Sequence, residues 1–319
     1  MIKRVIRSIV DVITIPFVGL SAIILKTYRR VGSKRLKLNT KILRMIGVFP
    51  IIDHYYEPLF NDAYLKKPLS KKRNLPGINF RHKEQLSTLN CLTYQEDFDK
   101  FLQKQKYVDA TIKYTINNGS FETGDADFLF NFIRHIKPSK IVEIGCGEST
   151  KIIAEALDLN SEETGKRGSH ICIDPYDQPW LDSFKKIKIL RQKVEDVDID
   201  LFASLGSNDL MFIDSSHIIR PQGDVLHEYL EILPTLKKGV YIHVHDIFTP
   251  NDYLENWIKE RVFFWNEQYL LEAVLSKNPS YEIIAALNYL KHNEFDALKK
   301  VCLYLNKNTE PGSFYFRIS

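Results

Sequence analysis

The sequence predicts an α/β fold: a doubly wound, mostly parallel sheet of seven strands, preceded by a helical N-terminal extension that associates with a membrane. Three observations predict it. From about residue 122, short apolar runs alternate with segments of helical periodicity, the order that builds parallel strands joined by crossover helices. Two late β-rich segments close the chain. The first 44 residues combine an apolar stretch with dense positive charge.

The chain has 319 residues, 44% hydrophobic and 26% charged, enough for a core of ordinary size. Residues 1–44 carry eleven cations against the single acid Asp11, net +10, which leaves −6 over residues 45–319. A body of that sign argues against nucleic acid as a partner. The cysteines Cys91, Cys146, Cys172 and Cys302 form no C-x-x-C pair, which points to a reducing compartment rather than to disulfides or a zinc knuckle.

Residues 9–25, IVDVITIPFVGLSAIIL, are interrupted by Asp11, Pro16 and Gly19, and KTYRR follows where a cleavage site would carry small residues. Residues 1–44 are therefore expected to bind a membrane surface, with cations on anionic headgroups. The alternative is a buried helix. The denser cations after the stretch place the body on the cytoplasmic side, attached to the inner face of the plasma membrane. Residues 45–120 read as an accessory region of short helices and loops, and 121–319 as the main domain. There the spacing predicts a helix over 124–136, strands over 140–146 and 170–176 with a helix between them, strands over 186–192 and 208–216, and a helix over 224–239. A strand through YIHVHDIF at 241–248 and the β-rich segments 281–290 and 313–319 complete it.

In an open parallel sheet, ligands bind beyond the carboxyl ends of the strands. Three such ends carry unusual chemistry. EIGCGEST (143–150) places Gly145 and Gly147 where backbone must approach a ligand, with Thr150 in place of the third glycine of a dinucleotide fingerprint. Glu143, two residues before Gly145, would repel a pyrophosphate and suits a ligand with a positive group. Asp174 ends the second strand, where a carboxylate can accept both hydroxyls of a ribose. Glu195 and Asp196 follow the third strand and could reach an adenine amino group; the alternative is a solvated loop.

The ordered set EIGCGEST, Asp174, Glu195-Asp196, MFIDSSH and IHVHDIF resembles the class I S-adenosylmethionine-dependent methyltransferases over residues 121–319. FIDSSH followed by a helix and HVHD looks most like the small-molecule O-methyltransferase branch found in polysaccharide and natural-product gene clusters. HYYEPLF and WNEQYLL are similar to segments of membrane-associated bacterial members. The resemblance implies a Rossmann-like sheet ending in an antiparallel pair, with S-adenosylmethionine as cofactor. It implies that Glu143, Gly145 and Gly147 hold the methionine end and sugar, with Ser149 and Thr150 completing the turn. Asp174 would hold the ribose, and Glu195 or Asp196 would face the adenine. Ser149 stands where many members carry a third glycine, a departure also found in this branch.

In YIHVHDIF, alternation puts His243 and His245 on one face and Asp246 on the other, with the strand end twisting so that His245 and Asp246 share the rim. Asp214 ends the neighbouring strand and His217 lies three residues on. Two chemistries fit. His217 or His245 could serve as general base for a hydroxyl. Alternatively, Asp214, His245 and Asp246 could hold a divalent cation that lowers the hydroxyl pKa. Related catechol-type enzymes hold Mg²⁺ at these strand ends; His245 in place of an acid favours Mn²⁺, Fe²⁺ or Zn²⁺. His243, one step deeper, reads as a satisfied core histidine. Residues 251–275 read as an aromatic flap in which Tyr253, Trp257, Trp265 and Asn266 either contact an acceptor or pack.

The sequence thus predicts a methyltransferase that O-methylates a hydroxyl of a sugar, glycan or related small metabolite at the membrane. The rival readings are an NAD-dependent oxidoreductase and a catalytically inactive membrane-tethered scaffold. It leaves the acceptor and the oligomeric state open.

Overall fold

The structure is a computed structural model that describes residues 2–319. By packing, the chain divides into Met1–Lys67 and Pro68–Ser319, whereas composition places boundaries at 44 and 120.

In the first unit, α1 (Ile2–Val31) runs unbroken through Pro16 and Gly19, the residues that interrupt the apolar pattern in the sequence. Its apolar side chains are exposed along its length, Ile13 at 61%, Phe17 at 69% and Ile23 at 66%. It is long and apolar enough to cross a membrane by length and composition. Tyr28 Oη lies 2.7 Å from Thr40 Oγ1 on α2 (Lys37–Ile46), and Arg29 pairs with Glu57 at 2.6 Å, which ties the end of α1 to the rest of this unit.

The second unit is built on a sheet of β1 (Lys140–Ile144), β2 (Ser169–Ile173), β3 (Lys188–Leu190), β4 (Leu210–Ile213), β5 (Tyr241–Val244), β6 (Tyr281–Ala286) and β7 (Phe314–Ile318). Its order is β3-β2-β1-β4-β5-β7-β6. The first five strands are parallel, and β7 is antiparallel to both β5 and β6. The order reverses between β1 and β4, so the crevice for a ligand opens beside their carboxyl ends.

Strand alternation divides the core in two. Ile141, Leu210, Phe212 and Tyr315 face one layer with Phe128 of α5 (Asp125–Ile136) and Ile152 of α6 (Glu148–Thr164). The same layer takes in Leu89 of α3 (His82–Cys91) and Phe98 of α4 (Gln95–Lys104), so these short helices complete the sheet's cover. Val142, Ile171, Met211 and Ile242 face the opposite layer with Phe202, Tyr229 and Leu271.

Three elements differ from the sequence expectation. The helix expected over 224–239 is a short α turn at Asp224–His227, a π turn at Glu228–Ile232 and a 3₁₀ turn at Leu233–Thr235. Pro234 has no N–H to donate, and its ring displaces the carbonyl four residues back, so regular winding fails there. The β-rich segment 281–290 turns helical at Leu287–Asn293, because the strand stops where Gln85 Oε1 accepts the Ala286 N–H at 2.8 Å. Finally β5 ends at Val244, and 245–248 leave the ladder.

Candidate active site

A cavity of about 460 Å³ lies at the carboxyl ends of β1, β2 and β4, with Gly145, Gly147, Asp174, Glu195 and Asp214 in its wall. Gly145 has φ +79, and a Cβ there would lie 1.9 Å from the Asp214 carbonyl oxygen. Only glycine allows β1 to turn this closely over β4. At Gly147 an added Cβ would meet nothing within 4 Å, so this backbone edge is open to a ligand. Asp174, 3% exposed, accepts from Tyr176 N at 2.8 Å and from Gln178 Nε2 at 2.7 Å. A ribose hydroxyl would take the place of the Gln178 amide.

Three residues expected to hold the cofactor, Glu143, Thr150 and Asp196, lie outside this wall. Glu143 is fully buried behind the turn, accepting from Ser149 Oγ at 2.7 Å and lying 2.7 Å from His170 Nε2. It stiffens the turn from within and does not face the cavity. Asp196 is exposed at the end of a single 3₁₀ turn, Val194–Asp196, and only Glu195 reaches the cavity. Thr150 is buried, its hydroxyl accepting from Gly147 N at 3.1 Å, so it braces the turn; Ser149 joins the wall. Glu148, Asp224, Lys193 and Arg220 also line the cavity and were not singled out from the sequence.

Asp214 belongs both to this cavity and to a dense polar cluster behind it. His217 Nε2 lies 3.2 Å from Asp214 Oδ1 and 3.6 Å from Asp246 Oδ2. His245 Nδ1 lies 3.5 Å from Asp214 Oδ1 and 3.6 Å from Asp246 Oδ1. His245 and Asp246 share the rim, as the expected twist of the strand end has it; Asp246 reaches it by adopting φ +59 and leaving the strand geometry. One ligand atom from each of Asp214, His217 and Asp246 falls within a 4.8 Å span, so the tightest metal-ligand grouping here contains His217 where the sequence reading had His245. Both ring nitrogens of His243 are buried without a hydrogen-bond partner, and the ring stacks on Tyr315 at 4.4 Å. It is a core histidine, but not a satisfied one. Burial and the charge of His245 push its pKa well below the usual value, keeping it neutral.

The cluster's electrostatics follow from crowding. Burial alone opposes charge on both other imidazoles, yet Asp214 and Glu267 raise His217, and Asp246 and Asp214 raise His245, well above the ordinary histidine value. Burial likewise opposes ionisation of Asp214, but the two histidines outweigh it and hold Asp214 below the usual carboxylate range. Asp246 is pushed up to about 6, chiefly by burial, with Asp214 and Asp125 adding repulsion against the pull of the histidines.

Two members of the cluster escaped the sequence reading. Glu267 Oε2 lies 2.8 Å from His217 Nδ1, and Tyr229 Oη donates to its other oxygen at 3.0 Å. Asp125 accepts from Gly312 N and Ser313 N at 3.2 and 2.8 Å and lies 3.7 Å from His245 Nε2. Asp125 reads in sequence as an ordinary acid in the first turn of a helix, and Glu267 as one more polar residue in the flap. The flap itself clamps the cluster: Trp265 packs on His217 with ring centroids 4.4 Å apart and planes tilted by 37°, and Asn266 Oδ1 accepts the Ile219 N–H at 2.6 Å. Tyr253 and Trp257 pack in a small apolar cluster with Phe248 and Ile258.

Residues 142–247 match a family described as a methyltransferase domain. An uncharacterised protein of Archaeoglobus fulgidus is 29% identical over 200 residues, covering 59% of this chain and 88% of that protein. Among solved structures, the O-methyltransferase of Bacillus cereus in complex with SAH is 12% identical with a TM-score of 0.35, covering 73% of this chain and 91% of that one. The O-methyltransferase TomG of Streptomyces achromogenes, in complex with SAM, is 11% identical with a TM-score of 0.38, covering 74% and 90%. These structural likenesses are weak, and the fold rests on the strand order itself. The matched segment contains Gly145, Asp174, Asp214 and Asp246, and with the cavity it supports a class I S-adenosylmethionine-dependent methyltransferase.

Proposed function

We propose that this protein transfers a methyl group from S-adenosylmethionine to a hydroxyl of a sugar, glycan or related metabolite at the cytoplasmic face of a membrane. The observation that carries the reading is the continuity of the cavity beyond β1 and β2 with the acid–histidine cluster at Asp214. The cavity fits the cofactor: an open glycine edge, a buried carboxylate at Asp174 and an acid at Glu195. S-adenosylmethionine, when bound, supplies both the methyl group and the leaving thioether. The chain's part is to align the hydroxyl beside Asp214 and to take its proton.

The geometry revises how the proton is taken. His217 and His245, the bases expected from sequence, are both held toward their protonated forms by surrounding carboxylates. Asp246, pushed up to about 6 chiefly by burial, is the better acceptor. A divalent cation is a second reading, favoured by one observation. Asp125, Asp214, Asp246 and Glu267 set four carboxylates against two imidazoles, an excess of buried negative charge. Asp214, His217 and Asp246 would hold the cation, and it would lower the hydroxyl pKa.

Against a nicotinamide dinucleotide, the argument from Glu143 does not hold, since Glu143 is outside the cavity. The cavity wall supplies a better one: Glu148, Asp174, Glu195, Asp214 and Asp224 outnumber Lys193 and Arg220, a field suited to a sulfonium and ammonium ligand and poor for pyrophosphate. The membrane part of the reading is supported by α1 and its flanking cations. Calorimetric titration with S-adenosylhomocysteine tests the core of it. Micromolar binding is expected, with no heat from NAD and an affinity at least tenfold weaker in Asp174→Ala. Binding of NAD alone, or of neither ligand to folded protein, would refute the reading and favour the oxidoreductase or the inactive scaffold.

A further inference from the structure

Beneath the Gly145–Gly147 turn lies a second cluster of metal-ligand side chains, separate from the Asp214 cluster and sharing no residue with it. The strand register sets Glu143 of β1 directly beside Cys172 of β2, and His170 stands two residues earlier on the same face. Glu143 and Cys172 are fully buried and His170 is 2% exposed. His170 Nε2 lies 2.7 Å from Glu143 Oε2, and Cys172 Sγ lies 3.4 Å from each of them. The Cys146 thiol, on the turn itself, lies outside this grouping, its sulfur 4.0 Å from the Ile173 carbonyl oxygen.

We propose that Glu143, His170 and Cys172 form a binding site for a soft divalent cation of the Zn²⁺ class, placed directly behind the cofactor turn. One sulfur, one imidazole nitrogen and one carboxylate oxygen are donors that Zn²⁺ takes, with its fourth position left to water. Metal–ligand lengths of about 2.0–2.3 Å at tetrahedral angles put sulfur and nitrogen donors roughly 3.5 Å apart. The two contacts of Cys172 at 3.4 Å match that spacing, and the Glu143–His170 pair opens by about half an ångström to join it. Ser149 Oγ already donates to the other oxygen of Glu143 at 2.7 Å, the outer hydrogen bond that orients a ligating carboxylate. A simple buried ion pair would account for Glu143 and His170. It leaves unexplained why a thiol, rather than an aliphatic side chain, completes the buried group at 3.4 Å from both partners.

Cys146 lines the cavity, so the cation has a route to the site from the cofactor side. Binding replaces the proton of the Cys172 thiol: one M²⁺ enters, one S–H bond becomes one metal–thiolate bond, and one H⁺ leaves to solvent. Because Ser149, which donates to Glu143, stands in the first turn of α6 just after Gly147, ligation of Glu143 would link cation occupancy to cofactor affinity.

Co²⁺ titration of the full-length protein, stripped with chelator and reduced, tests this directly. The exposed Cys91 is first replaced in a Cys91→Ser background. One equivalent of Co²⁺ is expected to give a near-ultraviolet thiolate-to-cobalt charge-transfer band and the intense visible bands of tetrahedral cobalt, both discharged by one equivalent of Zn²⁺. The Asp214 cluster contains no sulfur and cannot produce the charge-transfer band, so His217→Ala should leave it unchanged. Cys172→Ser should abolish it, and Cys146→Ser should leave it in place. If Cys172→Ser does not fold, Cys172→Val, which keeps the buried volume, serves in its place, with folding checked by circular dichroism. Absence of the band in the folded parent, or its persistence at full intensity without Cys172, would overturn the proposal. Binding of S-adenosylhomocysteine is read separately, so loss of the metal site and loss of the methyltransferase reading are distinguishable.

Discussion

Replacing Gly145 and Gly147 one at a time with alanine separates the shape of the cofactor turn from its contact with a ligand. At Gly145 the backbone sits at φ +79, where a side chain costs about 1–2 kcal/mol. The new Cβ would lie 1.9 Å from the Asp214 carbonyl oxygen and 2.9 Å from its carbon, both backbone atoms that no rotamer change can move away. Ordinary carbon contacts need roughly 3.5 Å, so the ends of β1 and β4 must part by about 1.5 Å. That strains the bonds from Gly145 N to Ile173 O and from Asp214 N to Ile144 O. Overpacking of this kind costs about 1–3 kcal/mol more, for a total near 3 kcal/mol. Gly147→Ala meets open space, and its stability should stay within about 0.5 kcal/mol of the parent. Urea unfolding and titration with S-adenosylhomocysteine read the two effects. Gly145→Ala should lose both stability and at least tenfold in affinity, and Gly147→Ala affinity alone. A Gly145→Ala protein with the parent's unfolding midpoint would refute the account of the turn.

The remaining predictions concern the cluster and the extension. His217 is raised above its unfolded value, so its contribution to stability is present below about pH 6.5 and is lost as pH rises through the higher folded value. Stability measured in EDTA should therefore fall on the alkaline side, and Glu267→Gln, which removes one of the two carboxylates holding His217, should move the loss to lower pH. Nuclear magnetic resonance titration of the His217 ring checks the direction; an unmoved midpoint in Glu267→Gln would contradict the assigned contact. Asp246→Asn should eliminate methyl transfer while changing S-adenosylhomocysteine affinity less than threefold, because Asp246 lies outside the cofactor cavity; retained turnover would remove it from the chemistry. Removing residues 2–31 should release the protein from vesicles containing anionic lipid. Each basic residue near such a surface contributes about 1 kcal/mol, so Lys26, Arg29 and Arg30 alone should matter measurably. Co-sedimentation that survives the deletion would exclude α1 as the anchor.

What the sequence determines by itself is the local pattern and its order. Short, largely apolar runs mark β1, β2, β4 and β5, since a strand buried on both faces takes few polar side chains. Gly145, Asp174 and Asp214 stand out for the same reason, as polar or flexible residues at the ends of such runs. The tertiary structure decided everything that depends on partners far along the chain. Glu143 looked like a ligand-facing acid until His170 and Ser149 closed around it from β2 and α6. The twist expected at the end of β5 brings Asp246 beside His245, but the positive φ at Asp246 that does it leaves no mark in the sequence. Asp125 and Glu267 reach the cluster from 89 residues before Asp214 and 50 residues after His217, and no local periodicity marks an acid whose only distinction is the charge it meets in space. The sheet's strand order, which sets β1 against β4, is what gathers these separate strand ends into one site.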